Sequence, residues 1–363
     1  MPALNTVRNR KEIIKDLQTK RGSKILCYVT SDRISLPPNI PGINTQLSTQ
    51  VQPFVHEHLE AIGETKTIDL FLYTRGGMTN SVLPLVNLLR NYCKKLNVLV
   101  PFVAHSAGTL ICLGANNVVM GKMGELSPID PTTANQFNPR IIPGDINSPQ
   151  VGISVEDVFS FFELSNDDKI GKKFGETMTV SAFNSLTSSI NPLALGNVYR
   201  IYQQIRLISK KLLKMHIKKI DDKKLDLIVE AFVKKFFSHD YSIGYEETAS
   251  ILGKNIVKKT NSQEEALMNE LLEHYSNDLK LKDAFNLNQF MGDEKEKEFE
   301  LKGAYFESEN QTHLFKTVSK VTQRQEFPSN MHIQIQPGQD IPYIPGFPKA
   351  FNLDIIYQGW NKI

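Results

Sequence analysis

Two short segments carry the residue types best suited to chemistry in this chain of 363 residues. The first is the Gly76-Gly77 pair at the end of an apolar run, and the second is Ser106-Ala107 at the end of the next one. A serine at a strand-to-helix turn can act as a nucleophile, and backbone N–H groups from two turns can bind one developing oxyanion. The two segments therefore predict acyl transfer through Ser106.

The residues around Ser106 support this interpretation in part. Small residues after Ser106 allow a helix to start close to a substrate, with the N–H of Ala107 at its positive end. The pattern is similar to the nucleophile elbow G-x-S-x-G, but Ala104 stands where that motif has its first glycine. Each segment alone also has a simpler interpretation, because a double glycine is usually only a turn and a serine can be an N-cap. Their order, each after a strand, favours catalysis.

The elements expected to position these residues alternate between strands and helices from about residue 24 to 131. Strands are predicted over 24–30, 68–73, 98–104 and 118–120, and helices over 51–62, 81–93 and 107–115. Continuous apolar strands separated by helices indicate an α/β domain with a mostly parallel sheet. Most of the segments after residue 155 are predicted to be helical. Alternation around the S-E-N-Q-T segment predicts a β-hairpin over 303–321.

Several segments also resemble one protein superfamily. They are LFLYTRGG at 70–77, VPFVAHSAGTLICLGANNVVMGKMGELSPIDP at 100–131, NPLALGNVYR at 191–200, SHDYSIGYEETASILG at 238–253 and the hairpin. The chain is similar to the Clp-protease and crotonase superfamily, and within it to the SDH (serine dehydrogenase proteinase) type of Clp-fold serine proteinases.

This resemblance implies a fold, an activity and roles for particular residues. The fold is an α/β, Clp/crotonase-like core of repeated β-β-α units in a superhelix, with helical oligomerisation elements and a C-terminal β-hairpin. The activity is hydrolysis of peptide bonds in a protein or peptide substrate by a homo-oligomer, through an acyl-enzyme. Ser106 is then the nucleophile. The N–H groups of Gly77 and Ala107 form the oxyanion hole, with Gly76 in support.

The base for Ser106 departs from the Clp pattern. Clp proteases carry a histidine on the strand after the nucleophile helix, whereas the corresponding S-P-I-D-P segment here offers Asp130. The third Clp position corresponds to His239-Asp240. We expect His239 to be the base and Asp130 or Asp240 to orient it, because a triad is defined by geometry and not by order.

Three alternatives to this base stay open. His239 could merely cap the preceding helix. His105 adjoins Ser106, but neighbouring side chains on a strand point to opposite faces, which makes it the weaker candidate. A Ser–Lys dyad needs a buried lysine, and the available lysines lie in polar surroundings: Lys122, Lys169, Lys172 and Lys173.

The charge, the cysteines and the apolar runs of the chain indicate which partners and which location to expect. The net charge of +3 does not argue for nucleic acid, and the three cysteines have neither a CxxC pair nor metal-ligand spacing. The N-terminal segment is polar and unlike a signal peptide, and no apolar run reaches the length of a membrane span. We expect a cytoplasmic protein without cofactor, metal, nucleic-acid or membrane partner. Because the chain lacks a P-loop, degradation of folded proteins would require a separate unfoldase or adaptor.

Four regions and two competing functions complete the predictions. Residues 1–23 are expected to be an N-terminal helical extension, 24–260 the protease domain, 261–326 a helix plus the β-hairpin, and 327–363 a proline-rich extended tail. A crotonase-like acyl-CoA hydratase or hydrolase would use the same oxyanion hole without a nucleophilic serine. A catalytically inactive Clp-fold scaffold is the other alternative, because Asp130 stands where Clp proteases have histidine.

Overall fold

The computed structural model describes residues 8–38, 40–130, 132–133, 135–142, 145–146, 148–164, 175–236, 238–325 and 348–363. The α-helices of this part are α1 Arg10–Arg21, α2 Gln52–Ile62, α3 Val82–Asn91, α4 Ala107–Leu113, α5 Val155–Leu164, α6 Glu176–Ser189, α7 Pro192–Lys214, α8 Asp222–Val233, α9 Tyr245–Leu252, α10 Ser262–Leu279 and α11 Leu287–Met291. The strands are β1 Lys24–Thr30, β2 Ser35–Leu36, β3 Thr65–Tyr73, β4 Cys93–Val100, β5 Val103–Ala104, β6 Asn117–Met120, β7 Glu125–Leu126, β8 Thr132–Thr133, β9 Ile153–Ser154, β10 Val257–Lys259, β11 Phe285–Asn286, β12 Glu296–Glu307, β13 Thr312–Gln325 and β14 Lys349–Lys362.

One mixed sheet of eight strands organises these elements. Its strand order is β10-β6-β4-β3-β1-β12-β13-β14. The first five strands pair in parallel, as the alternation of strands and helices predicts. The last three are antiparallel, so the α/β class is confirmed but the whole sheet is mixed. Parallel pairing brings the carboxyl ends of β3 and β4 to the same edge, where the candidate site lies.

Side chains of the central strands alternate between two buried faces. Leu70 and Leu72 of β3 pack in the core formed with α2, α3, α4, α7, α8 and α9. Phe71 and Tyr73, which point the other way, pack in the core formed with α1 and α10. The continuous apolar runs in the sequence arise because helices cover the sheet on both faces.

Element boundaries differ from the predicted ones where chain geometry interrupts an apolar pattern. The predicted helix over 81–93 ends at Asn91, because Cys93 already begins β4. The predicted strand over 98–104 is divided into β4 and β5, which separates the site-bearing β5 from the main sheet. The short β5 pairs instead with β7.

The antiparallel strands lie at one edge of the sheet. Strands β12 and β13 pair from Glu296↔Thr322 to Glu307↔Thr312, and β14 pairs with β13 along its length. Part of the predicted tail, residues 348–363, is therefore extended and joined to this sheet, while 326–347 lies outside the described residues. The four-region division stays a prediction. Across the described chain, none of the helices combines the length and apolar character needed to cross a bilayer.

A buried histidine pair joins α2 to the turn between β12 and β13. His58 Nδ1 lies 2.8 Å from Ser308 Oγ, and His58 Nε2 lies 3.0 Å from His313 Nδ1. Burial, together with the charges of His313, Lys362 and Lys11, lowers the pKa of His58 to about 3. A proton on His58 is therefore strongly disfavoured in the folded protein.

We expect the free energy of unfolding to decrease as the pH falls below about 6.5, the ordinary pKa of histidine. Between pH 6.5 and 3 the unfolded chain binds a proton at His58 that the folded chain does not, so the loss is about 1–2 kcal/mol by pH 5. Denaturant unfolding between pH 5 and 8 measures it. His58→Gln should flatten the pH dependence, whereas His56→Gln, at an exposed position of the same helix, should retain it. Equal slopes in His58→Gln and wild type would contradict the prediction.

Candidate active site

The candidate site lies where β3 and β5 end side by side. Thr74, directly after β3, donates its N–H to the Val103 carbonyl oxygen at 2.9 Å. The N–H of His105 donates in turn to the Thr74 carbonyl oxygen at 3.0 Å. The Gly76-Gly77 turn and Ser106 therefore leave the sheet next to each other, although the sequence separates them by about 30 residues.

Ser106 occupies a strained strand-to-helix turn. Its φ of 50° and ψ of −109° lie in a region that residues other than glycine rarely adopt. It is the residue before α4, yet its side chain makes no capping hydrogen bond. Its N–H donates to Ser127 Oγ at 2.8 Å. Ser106 thus occupies the N-cap position of α4 without capping it through the side chain, and its strained turn is similar to a nucleophile elbow despite Ala104.

Two backbone N–H groups beside Ser106 have no acceptor within the described parts of the chain. The Gly76 carbonyl oxygen accepts from Leu47 N–H at 2.8 Å, and Met78 N–H donates to the Leu47 carbonyl oxygen at 2.9 Å. This pairing leaves the N–H of Gly77 unused. The N–H of Ala107 is also unused at the first position of α4. Both N–H groups are therefore without a partner in this part of the structure, and their role as an oxyanion hole stays a prediction.

Glycine is required at both positions of the turn. The φ values of Gly76 and Gly77 are 117° and 146°. A Cβ at Gly76 would lie 2.9 Å from Ser106 Cβ and 3.4 Å from the Ala107 nitrogen. A Cβ at Gly77 would lie 2.4 Å from the Leu47 nitrogen. The distance of 2.9 Å between a Cβ at Gly76 and Ser106 Cβ shows how closely the two turns approach each other.

Asp130 and His239 line one cavity of about 290 Å³ next to the segment that follows Ser127. The Asp130 carboxylate accepts from Ser154 Oγ at 3.1 Å. Burial raises the pKa of Asp130, while the Ser154 hydrogen bond and the charge of His239 oppose that shift. The structure therefore brings Asp130 and His239 together electrostatically, although they are more than a hundred residues apart in the sequence.

The structure does not bring the expected base into contact with Ser106. His239 is exposed in the turn after α8 and makes no hydrogen bond or ion pair with the residues that are described. Asp240 is also exposed, and its N–H donates to Ser238 Oγ at 3.3 Å. The proposed Ser106–His239 contact therefore requires movement of this turn or a bound substrate, and the role of His239 stays a prediction.

The alternative bases fit less well. The His105 ring contacts Glu125, at 3.1 Å from Nε2 to Oε1, and Arg75, and it makes no hydrogen bond to Ser106 within the described part of the chain. Lys122 is exposed, whereas a Ser–Lys dyad needs a buried lysine. The other three candidates, Lys169, Lys172 and Lys173, lie outside the described residues.

Several residues of the site escaped the sequence analysis. Thr109 Oγ1 donates to the Ser127 carbonyl oxygen at 2.8 Å and accepts from the Ser127 N–H at 3.1 Å, which holds the S-P-I-D-P segment against α4. Glu156 lines the cavity of Asp130 and His239, and burial raises its pKa to about 7 against the opposing charge of Arg206. A single glutamate in an amphipathic helix offers no sequence signal for this shift. Among the described residues, no group of three His, Cys, Asp or Glu side chains is arranged to hold a metal ion.

Comparison with known proteins adds relatives at modest similarity. "Uncharacterized protein MJ0137" of Methanocaldococcus jannaschii is 26% identical over 133 residues, which are 37% of this chain and 46% of that protein. "Uncharacterized protein MJ1495" of the same organism is 24% identical over 125 residues, which are 34% of this chain and 42% of that protein. The chain thus spans less than half the length of these two curated relatives.

Among solved structures, one similar chain is a mutant of the 1510-N membrane-bound stomatin-specific protease in complex with a substrate peptide. It is 15% identical, covers 63% of this chain and 74% of that chain, and has a TM-score of 0.31. This score is too low for an inference about fold or function.

The family assignment depends instead on a match to the sequence. The family model described as "ClpP-like SDH-type serine proteinase" matches residues 1–147. This range contains the Gly76-Gly77 turn, Ser106 and Asp130, but not His239. The match agrees with the family that the motifs indicate. Over residues 1–147 this chain is therefore similar to the ClpP-like SDH-type serine proteinases.

Proposed function

We propose that the protein is a serine endopeptidase that hydrolyses peptide bonds through an acyl-enzyme on Ser106. One observation carries the proposal: Ser106 is held at positive φ before α4 with its side chain not used as a cap, and the N–H groups of Gly77 and Ala107 have no acceptor in the described segments. Strain of this kind is retained where the surrounding structure enforces it, commonly at active sites. The serine proteinase family of residues 1–147 supports the same reaction.

In this proposal each group has a defined task. Ser106 Oγ attacks the carbonyl carbon of the scissile peptide, and the carbonyl oxygen becomes an oxyanion. The N–H groups of Gly77 and Ala107 donate to that oxygen, with Gly76 allowing the close approach. His239 takes the Ser106 proton and later gives it to the leaving amine, and Asp130 or Asp240 orients the ring.

The finer features of the assignment are proposals as well. The core would follow the repeated β-β-α superhelix of the Clp/crotonase architecture, with the β12–β13 pair as its C-terminal hairpin. The protein would act on protein or peptide substrates in the cytoplasm as a homo-oligomer, with a separate unfoldase or adaptor for folded substrates. Exposed apolar side chains on α6, among them Met178, Val180 and Phe183, are suited to subunit contact.

Active-site labelling tests the proposal. The full chain is treated with a fluorophosphonate, digested, and analysed by mass spectrometry for the modified residue. We expect one dominant adduct on Ser106, because only an activated serine in an oxyanion hole reacts quickly with such a probe. Ser209→Ala is a matched control, since it removes a buried hydroxyl of α7 that has no partner among the described residues.

The outcomes separate the competing functions. Labelling of Ser106 that is retained in Ser209→Ala supports the peptidase and contradicts the inactive scaffold. Absence of any adduct in an intact oligomer contradicts the peptidase. Turnover of an acyl-CoA thioester by a Ser106→Ala protein would instead indicate the crotonase-like reaction, which uses the oxyanion hole without the serine.

A further inference from the structure

The residues directly before the two candidate turns contact each other through their side chains. Arg75 precedes Gly76-Gly77, and His105 precedes Ser106. Arg75 Nη1 lies 3.5 Å from His105 Nδ1. Among the described residues, the hydrogen bonds and ion pairs of these two side chains go to Asp32, Glu125 and each other, and none involves Ser106.

Carboxylates hold both ends of this contact. Arg75 Nε donates to Asp32 Oδ2 at 2.7 Å, and Asp32 also accepts from the Tyr73 hydroxyl at 2.9 Å. At the other end, His105 Nε2 lies 3.1 Å from Glu125 Oε1. Glu125 belongs to β7, which pairs with β5 and so cannot follow His105 freely. We call the chain Asp32–Arg75–His105–Glu125 the clamp.

The clamp defines one protonation state of His105. An ionised Glu125 only accepts hydrogen bonds, so His105 Nε2 must carry a hydrogen. The Arg75 guanidinium only donates, so His105 Nδ1 must be the acceptor and must be unprotonated. The neutral ring with its hydrogen on Nε2 satisfies both partners, whereas the doubly protonated ring satisfies only Glu125.

We propose that the clamp is a positioning device that sets the distance between the Gly76-Gly77 turn and Ser106-Ala107, and that it is closed only while His105 is neutral. The inference rests on the proposed function, because that distance matters only if the two turns bind one oxyanion. His105 is thus a positioning residue, and no part of the clamp touches the reacting atoms.

The conformational freedom of the glycine turn explains why a clamp is needed. Gly76 lies close to Ser106 and has positive φ, and such a glycine restricts the backbone less than other residues do. Backbone bonds between Thr74 and the Val103–His105 segment join the strands before the turns, and the backbone bonds of Gly76 and Met78 join the glycine turn to Leu47, not to Ser106. Oxyanion donors act only within about 0.5 Å of the productive position. Side-chain contacts directly before each turn supply that restraint.

Acidification is expected to open the clamp. A proton on His105 Nδ1 removes the acceptor and places two cations 3.5 Å apart. The charged groups that face the ring are Arg75 and His239, which disfavour the proton, and Glu125, which favours it. Burial is the largest effect, and the pKa of His105 is lowered. The clamp is therefore closed at neutral pH and opens as the pH falls through this lowered pKa.

Two substitutions of His105 test the inference in the full-length protein. His105→Gln keeps one acceptor and one donor but cannot take up a proton, whereas His105→Leu has neither. We measure the rate of fluorophosphonate labelling from pH 5 to 8, and amide hydrogen exchange of peptides that cover 74–78 and 104–110. His56→Gln serves as the control on an exposed histidine.

We expect His105→Leu to label about 10- to 100-fold more slowly than wild type at pH 8, because a misplacement of about 1 Å costs up to about 100-fold. Both peptides should exchange faster in His105→Leu, while kcat falls and KM for peptides changes little. His105→Gln should label within about threefold of wild type at pH 8, and the ratio of its rate to the wild-type rate should rise as the pH falls. Thermal unfolding shows whether His105→Leu is folded. If it is not, Arg75→Met is measured in its place.

Two results overturn the clamp. One is wild-type exchange of both peptides in folded His105→Leu. The other is a ratio of His105→Gln to wild-type labelling that does not change with pH. If the wild-type protein is not labelled at all, the proposed function fails, and the exchange measurement alone decides about the clamp.

Discussion

Replacing Ser106 by alanine is expected to lower kcat/KM for peptide hydrolysis by about 10⁴- to 10⁶-fold, the range seen when a serine peptidase loses its nucleophile. The oxyanion donors would remain, because the N–H groups of Gly77 and Ala107 belong to the backbone. Residual binding of peptides with nearly unchanged KM is therefore expected. Steady-state hydrolysis of a fluorogenic peptide library measures both constants.

A second substitution at Ser106 tests the backbone strain at this residue and does not require a known substrate. Glycine adopts positive φ without the strain that Ser106 bears at 50°, whereas alanine retains that strain. Ser106→Gly should therefore be more stable than Ser106→Ala by roughly 1 kcal/mol, while both lack activity. Denaturant unfolding of the two variants provides this comparison. A less stable glycine variant would show that the backbone at Ser106 is not strained.

Replacing Gly77 by alanine is expected to lower kcat by about 10²- to 10³-fold, the usual cost of one lost oxyanion donor. The new Cβ would meet the Leu47 nitrogen at 2.4 Å and its carbonyl oxygen at 2.5 Å, both backbone atoms that cannot rotate away. The turn must therefore shift, and the N–H of Gly77 shifts with it. Rates of peptide hydrolysis and of fluorophosphonate labelling should both decrease.

Gly63→Ala is the matched control for this variant. Gly63 also has positive φ, at 71°, but a Cβ there meets no atom within 4 Å. Both substitutions introduce backbone strain, and only Gly77→Ala also collides with a neighbouring segment beside Ser106. Equal activity of the two folded variants would remove Gly77 from the oxyanion hole.

Much of the framework of the site could be predicted because its signals are local. The apolar runs that end at Tyr73 and Ala104 predict two strands, and Gly76-Gly77 and Ser106 follow them directly. Strand alternation also made His105 the weaker candidate base, and its ring makes its contacts with Arg75 and Glu125. The position of the antiparallel strands in the sheet could not be predicted, because β12 pairs with β1 across more than 250 residues.

The environment of the site could not be predicted from the sequence. His239 and Asp130 share a cavity only because the turn after α8 packs near the S-P-I-D-P segment, and no spacing in the sequence records that. Whether a serine before a helix acts as a cap depends on its φ and ψ, which neighbouring segments impose. The raised pKa of Glu156 likewise results from burial, a property of the assembled fold.

Local sequence patterns were enough to identify the strands, glycines and serine that could form an oxyanion site, because hydrophobic periodicity and the conformational freedom of glycine act over a few residues. The tertiary structure sets the strain and the missing side-chain cap at Ser106 and brings Arg75 to His105. It also leaves the N–H groups of Gly77 and Ala107 without an acceptor among the residues that are described. These properties depend on contacts between segments far apart in the chain, where packing and electrostatics, and not local preference, set the geometry.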